Sequence, residues 1–385
     1  MSSSGIQSIA YVTTYDSTHP GSWSGIGYRM PEHFIADGVR VERIGPLAPV
    51  RRPEVRLRSG LTRALTGKRY LTGRSPAVLA GYARQAASRL ATLDVDAVLS
   101  PGTIPVAHLE TDMPVVFWTD ATFDALVDFY PAYSRLSPQS LQDGHIMEQA
   151  ALDRCSLAIY SSPWAADTAR EQFDVPEEKI AVVPFGPSLG GAPDSDEIDG
   201  IIVRRFRRPL KLLFIGTDWV RKGGDMALAI TAGLLRAGID VELHIVGVRL
   251  PGPIPGVVQH GYIPAAVEEG KKRMASLLEE ANFLLLPTRA DALPVVLAEA
   301  CSFALPFFTT GVGGIATVFT DGVEGRIFER DAPPDGYVDV IRELLQEPAE
   351  YDALCRRARS AYESRLNWPH AVREARTLME EAIQG

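Results

Sequence analysis

The chain has 385 residues, a formal net charge of -9 and a charged fraction of 23%, against 46% hydrophobic residues. That length favours more than one domain, and the composition excludes a wholly disordered chain. The acidic balance argues against nucleic acid as a main partner. Three widely spaced cysteines, Cys155, Cys301 and Cys355, form neither a disulfide framework nor a structural zinc motif. The polar N-terminus lacks the basic-then-apolar pattern of a signal peptide, and no apolar run reaches the ~18 residues of a membrane span, so a cytoplasmic protein is expected.

Short apolar, β-branched runs alternate with helix-like stretches. Strands are predicted at Ser8–Thr14, Val39–Ile44, Ala97–Ser100, Val115–Thr119, Leu157–Ser161 and Ile180–Val183. A second series follows at Lys211–Ile215, Glu242–Val246, Val257–Gln259, Phe283–Leu286 and Pro306–Thr309. Helices are predicted between them, at Gly27–Asp37, Ser75–Leu93, Ser140–Arg154, Ser162–Gln172, Gly224–Ala237, Ala266–Ala281 and Pro294–Ala304, with a helical tail beyond Asp331. Most strands are apolar throughout, which predicts α/β architecture with parallel sheets buried on both faces. The pattern pauses at Gly186–Gly200, rich in Gly, Pro, Ser and Asp, and this stretch is read as a linker. Residues 51–74 carry eight basic residues against the lone Glu54, a local +7. They read either as a solvated basic face or as a contact for an anionic acceptor or a membrane surface.

Four strand-to-helix turns carry the chemistry. Gly21–Gly27 brings glycines to a helix start after the first strand, but lacks the dinucleotide fingerprint. Gly216-Thr217-Asp218-Trp219-Val220-Arg221-Lys222-Gly223-Gly224 puts a lysine where open α/β sheets bind ligands. Arg289–Ala300 sets Asp291 and Glu299 eight residues apart around Pro294, which suits a first helical turn. A helical rise of ~1.5 Å per residue separates the two carboxylates by roughly 12 Å, with free N–H groups between them. A ligand with a hydroxylated ring at each end and a diphosphate in the middle fits that spacing. The plainer reading makes Asp291 an N-cap and Glu299 a surface residue, yet Glu299 sits among Val296, Leu297, Ala300 and Phe303, where a carboxylate needs a partner. The fourth turn, Thr310–Ile315, reads equally as packing or as ligand approach. The seven histidines form no local cluster.

In this order the motifs resemble the group 1 glycosyltransferases, family four in the usual classification. The resemblance rests on FIGTDWVRKGGDMAL, LLLPTRADALPVVLAEACSFALP and GVGGIATVFTDGVEGRIF in the second half, and on GSWSGIGY, FWTDATFDAL and SSPWAADTAR in the first. It implies a GT-B fold of two Rossmann-like domains with parallel sheets facing a central cleft. An acceptor-binding domain would cover 1–188 and a nucleotide-sugar-binding domain 205–367, with helix 368–385 crossing back.

The resemblance further implies a retaining transferase moving a hexose from a UDP- or GDP-sugar to an acceptor hydroxyl, in glycan or glycoconjugate biosynthesis, with no metal or cofactor. By position Glu299 would hold the ribose, Asp291 the transferred sugar and Lys222 the phosphates. Leu293, Pro294, Val295 and Val296 would line the diphosphate, and Gly216 and Gly25 would approach the donor closely. Asp120 stands where many relatives place a histidine beside the reacting sugar, and base contacts are expected near Gly247. Two departures stand out: Asp291 is one methylene shorter than the usual Glu, and Thr217 replaces a common basic residue that Arg221 would have to make good. An epimerase acting on the nucleotide-sugar and a non-catalytic binder of it are the competing readings.

Overall fold

A computed structural model describes residues 5–205 and 209–384. The chain divides into two units: residues 1–184 with 371–385, and residues 185–370.

The first unit is built on six parallel strands: β1 (Ser8–Val12), β2 (Arg40–Ile44), β3 (Ala97–Ser100), β4 (Val115–Thr119), β5 (Leu157–Tyr160) and β6 (Ile180–Val182). Their order is β2-β1-β3-β4-β5-β6. The central strands are buried along their whole length, as sheets covered on both faces require. β2 lies on the edge, and its Arg40, Glu42 and Arg43 are accordingly tolerated there. The last helix, Trp368–Gln384, is tied into this unit by Arg376, paired with Asp37 at 3.0 Å, and by Glu380, which accepts the Ile6 N–H at 2.9 Å.

The second unit repeats the plan with β7 (Leu210–Ile215), β8 (Val241–Val246), β9 (Val257–Gly261), β10 (Phe283–Leu286), β11 (Phe307–Thr310) and β12 (Gly325–Phe328), in the order β12-β11-β10-β7-β8-β9. Every pairing within it is parallel.

Two expectations need correction. The Gly186–Gly200 stretch is not wholly a linker: its end opens the helix Ile198–Arg205, which buries Ile198, Ile201 and Ile202 against the second core. Turn-forming residues just upstream hide that amphipathic turn. Pro294 does not sit within a first helical turn but at the N-cap, with φ -74° and ψ 111°, and the helix runs Val295–Ser302.

That short helix is anchored at its far end. Arg205, 2% exposed, donates to Leu278 O, Phe303 O and Ala304 O at 2.8, 2.9 and 2.6 Å. Arg359 donates to Ser302 O. These cations satisfy carbonyls that a helix end leaves without partners. The opposite end, with Val295 and Val296, is thereby held in place.

Candidate functional site

In each sheet the strand order reverses at one point, and the crevice at the carboxyl end of such a reversal is where open α/β sheets bind ligands. In the second unit it lies between β7 and β10. The loop after β7 carries Lys222, and the loop after β10 carries Asp291. Their side chains meet, Lys222 Nζ to Asp291 Oδ2, at 2.5 Å. Arg221 Nη1 stands 3.4 Å from Asp291 Oδ1 and donates to Ala290 O at 2.8 Å, and the Thr288 hydroxyl lies 3.3 Å from Asp291 Oδ2. Asp291 is 7% exposed, so its charge is balanced locally by two cations.

Glycines make this approach possible. Gly223 has φ +75°, and a Cβ there would stand 1.8 Å from Pro287 O, so only glycine lets the β7 loop close onto the β10 loop. Gly247, at φ +107°, lies against the Gly216 carbonyl with the same lack of room. Thr217 is exposed. Trp219 packs on Phe214 with ring centroids 5.4 Å apart and fills the space over Gly224.

Glu299 is half-buried on the helix Val295–Ser302, and its Oε1 accepts the Leu189 N–H at 3.0 Å. The stretch read as a linker therefore reaches the second acid of the motif. Val295 and Val296 occupy the first turn of that helix, where N–H groups have no intrahelical acceptor. Leu293 and Pro294 are buried beside them. The fourth turn joins this group, since the Gly314 N–H donates to Ala292 O at 2.7 Å. Sequence reasoning found no histidine cluster, yet adjacent strands β8 and β9 bring His244 and His260 to 3.1 Å. Burial first, then His244 and Arg273, pull the His260 pKa down to about 4.

In the first unit the reversal lies between β1 and β3. A cavity of about 300 Å³ opens there, lined by residues after β1, β3 and β4, Asp120 among them. The turn Ser22–Gly25 flanks it. Trp23, Ser24 and Gly25 hold successive positive φ values of 47°, 55° and 89°, a conformation that costs a tryptophan and a serine strain. Trp23 lines the cavity.

Two of its wall residues depart from the sequence reading. Glu148 was not singled out, and Arg74, read as one of the basic residues of 51–74 open to an anion or a membrane, is instead buried at the cavity wall. Glu148 is 1% exposed, and burial raises its pKa to about 7 against the lowering pull of Arg74 and of the Thr103 hydroxyl. Thr103 Oγ1 donates to Glu148 Oε2 at 3.0 Å, and Arg74 Nη1 lies 3.9 Å from the same oxygen.

Residues 209–347 match the model of the glycosyl transferases group 1. The chain is 27% identical over 188 residues to D-inositol 3-phosphate glycosyltransferase 1 of Catenulispora acidiphila, covering 45% of the chain and 44% of that protein. It is 23% identical over 274 residues to the D-inositol 3-phosphate glycosyltransferase of Nocardiopsis dassonvillei, covering 65% and 63%. The chain thus spans less than two thirds of the length of these two relatives.

Similar solved structures extend over nearly the whole chain. Sucrose-phosphate synthase from Thermosynechococcus elongatus superposes with a TM-score of 0.70 at 15% identity, covering 98% of this chain and 99% of that one. WaaG, a glycosyltransferase involved in lipopolysaccharide biosynthesis, gives 0.63 at 17%, covering 97% and 99%. HepE of Anabaena in complex with UDP and glucose gives 0.61 at 12%, covering 97% and 99%. The fold is that of the GT-B glycosyltransferase structures.

Proposed function

We propose that this chain is a group 1 glycosyltransferase that moves a hexose from a nucleotide-diphosphate sugar to an acceptor hydroxyl with retention of configuration, a reading supported by the match of residues 209–347. The observation that carries this reading is the β7–β10 crevice. There the paired Lys222 and Asp291 adjoin the start of a helix whose second acid, Glu299, stands eight residues on. The UDP complex of HepE supports the donor class.

Each residue has a role in this reading. Lys222 exchanges part of its contact with Asp291 for the diphosphate. Together with the N–H groups of Val295 and Val296 it stabilises the charge that grows as the sugar C1–oxygen bond breaks. Asp291 holds sugar hydroxyls and Glu299 holds the ribose. Gly216, Gly247 and Thr217 leave room for the base and ribose, and Arg221 stays beside Asp291, its Nη1 3.4 Å from Oδ1. Gly25 belongs to the strained turn that flanks the first-unit cavity. The acceptor oxygen bonds to C1 on the face the diphosphate leaves, and its proton passes to the leaving phosphate oxygen. Asp120 orients the acceptor hydroxyl in the first unit.

The test is thermal shift of the full chain with UDP, GDP and their sugars, repeated with Lys222→Ala and Glu299→Ala. A shift for one nucleotide, lost in both variants, is the expected result. No shift with any nucleotide overturns the donor site. A shift without transfer to any of a panel of hydroxylated acceptors favours a non-catalytic binder, and interconversion of the nucleotide-sugar itself an epimerase.

Among the described residues no helix is long and apolar enough to cross a membrane. We also infer peripheral contact with an anionic bilayer through the helix Pro53–Thr66. Leu57, Leu61 and Leu65, exposed by 65%, 52% and 81%, recur every fourth residue and form one stripe. Val55 alone is buried on the helix. The stripe lies within the segment of net +7, the pattern of a helix that rests on acidic lipid.

A further inference from the structure

The first-unit cavity does more than mark where an acceptor goes, since its wall carries a selective arrangement of charge. Among the described residues lining it, Arg74 is the one cation. That cation is already committed. Its Nη1 faces Glu148 Oε2 at 3.9 Å, and its guanidinium lies over the rings of Phe123 and Tyr133 at 4.8 and 5.5 Å. Above neutral pH, where Glu148 is ionised, its carboxylate neutralises that cation, and Asp120 adds a second acid to the wall. A phosphate monoester entering here would meet two carboxylates and a cation whose charge is spent.

A neutral hydroxylated ring meets the opposite situation. Glu148 is 1% exposed; Thr103 donates to its Oε2 and the Phe123 backbone N–H interacts with the carboxylate, yet its Oε1 has no hydrogen-bond partner of good geometry. An acceptor atom buried without a partner is costly, and a ligand hydroxyl reaching it removes that cost. Trp23, Tyr15 and Tyr133 supply aromatic surface for the apolar face of a ring. The volume, about 300 Å³, is that of a site for a small molecule.

We propose that this cavity binds the acceptor through a neutral polyhydroxylated ring, a sugar or cyclitol, with one hydroxyl donating to Glu148 Oε1, and that the Arg74–Glu148 pair rejects the phosphorylated form of the same ring. The proposal rests on the transferase reading above. It also separates this chain from the relatives named for D-inositol 3-phosphate.

The experiment uses the full chain at pH 8, where Glu148 is ionised, saturated with the nucleotide diphosphate that gives the thermal shift. Ligand-observed NMR titrations then compare glucose, galactose and myo-inositol with glucose 6-phosphate and inositol 1-phosphate. The expected result is binding of at least one neutral ring, about tenfold tighter than its phosphate. Glu148→Gln releases the charge of Arg74, so the preference for the neutral ring is lost or reversed in that variant, while its nucleotide shift reports that it remains folded. Should Glu148→Gln fail to fold, the wild-type ratio decides alone. A phosphorylated ring that binds as tightly as its neutral counterpart, or no neutral ring binding while the nucleotide does, overturns the proposal. Absence of nucleotide binding overturns the donor reading instead, and the neutral-against-phosphate comparison is then made on the chain without nucleotide.

Discussion

Replacing Glu148 by glutamine changes how stability depends on pH, and the size follows from burial. In the folded chain the Glu148 pKa rises from 4.5 to about 7, burial being the largest cause. A rise of this size corresponds to about 3 kcal/mol of folding free energy. The sign is fixed by which state holds the proton. Below the unfolded value both states are protonated and the contribution is complete. As pH climbs towards 7, the unfolded chain gives up its proton while the folded chain keeps it, so stability falls. His33 and His260 oppose this trend: burial lowers both to about 4, so they favour the folded state above their unfolded pKa and lose that contribution as pH falls. The wild-type profile therefore mixes both signs, and the difference between wild type and Glu148→Gln isolates the carboxyl. Denaturant unfolding is followed through Trp118, a buried indole of the first unit whose N–H donates to Val183 O at 2.9 Å. Between acid and neutral pH the wild type should lose about 3 kcal/mol relative to the variant. Profiles that run parallel would refute the claim that burial controls this group.

The β7–β10 crevice and the helix Pro53–Thr66 yield further expectations. Lys222→Ala removes one partner of a buried pair whose other member is 7% exposed, so the variant should lose about 3 kcal/mol or more in thermal or denaturant unfolding, along with its nucleotide-induced shift. Lys222→Arg restoring stability without the shift would separate charge balance from phosphate geometry. Gly223→Ala should abolish nucleotide binding, because its Cβ would fall 1.8 Å from Pro287 O, whereas Gly238→Ala, at φ +77° with nothing within 4 Å, should cost only about 1 kcal/mol and leave binding intact. Equal effects from the two would mean that strain alone governs the loop. Sedimentation with phosphatidylglycerol-containing vesicles should show binding that weakens about 100-fold in an Arg56, Arg58 and Arg63→Gln variant and is absent with pure phosphatidylcholine. Equal binding to both vesicle types would remove the electrostatic part of that argument.

Much of the fold was legible because strands buried on both faces are written as apolar runs. Val115–Thr119 and Phe283–Leu286 stand out without any knowledge of neighbours, and both lie where the pattern put them. What escaped has physical causes. β12, Gly325–Phe328, is an edge strand of four residues containing an arginine, too short and too polar to register as a buried run. The helix Pro53–Thr66 was hidden because its apolar residues face outward, so its periodicity looked like a charge run. His244 and His260 are sixteen residues apart and meet only because β8 and β9 pair in parallel, a register the sequence does not state.

The two candidate sites differed in legibility for one reason. In the second unit the elements of the crevice are local turns: a lysine before two glycines, an acid before a proline, a second acid two helical turns on. Each turn type constrains its residues, so the chemistry is printed in short segments. Even so, the sequence hid that Lys222 and Asp291 satisfy each other at 2.5 Å, because their loops are 69 residues apart and meet only across the β7–β10 reversal. In the first unit the cavity takes Arg74 and Glu148 from separate helical segments, where any residue keeps the helix and none is demanded by a turn. A buried acid on a helix face has no sequence signature beyond a polar letter among Met147, Ala151 and Leu152. Its meaning comes from the oxygen left without a partner, which is a property of packing. Turn geometry thus fixes the residue types of the crevice, whereas a helix position such as Glu148 can be exchanged without changing the local fold. If Glu148→Gln shifts acceptor preference without moving nucleotide affinity, those two layers are separable; if both move together, the cavity and the crevice are not independent sites.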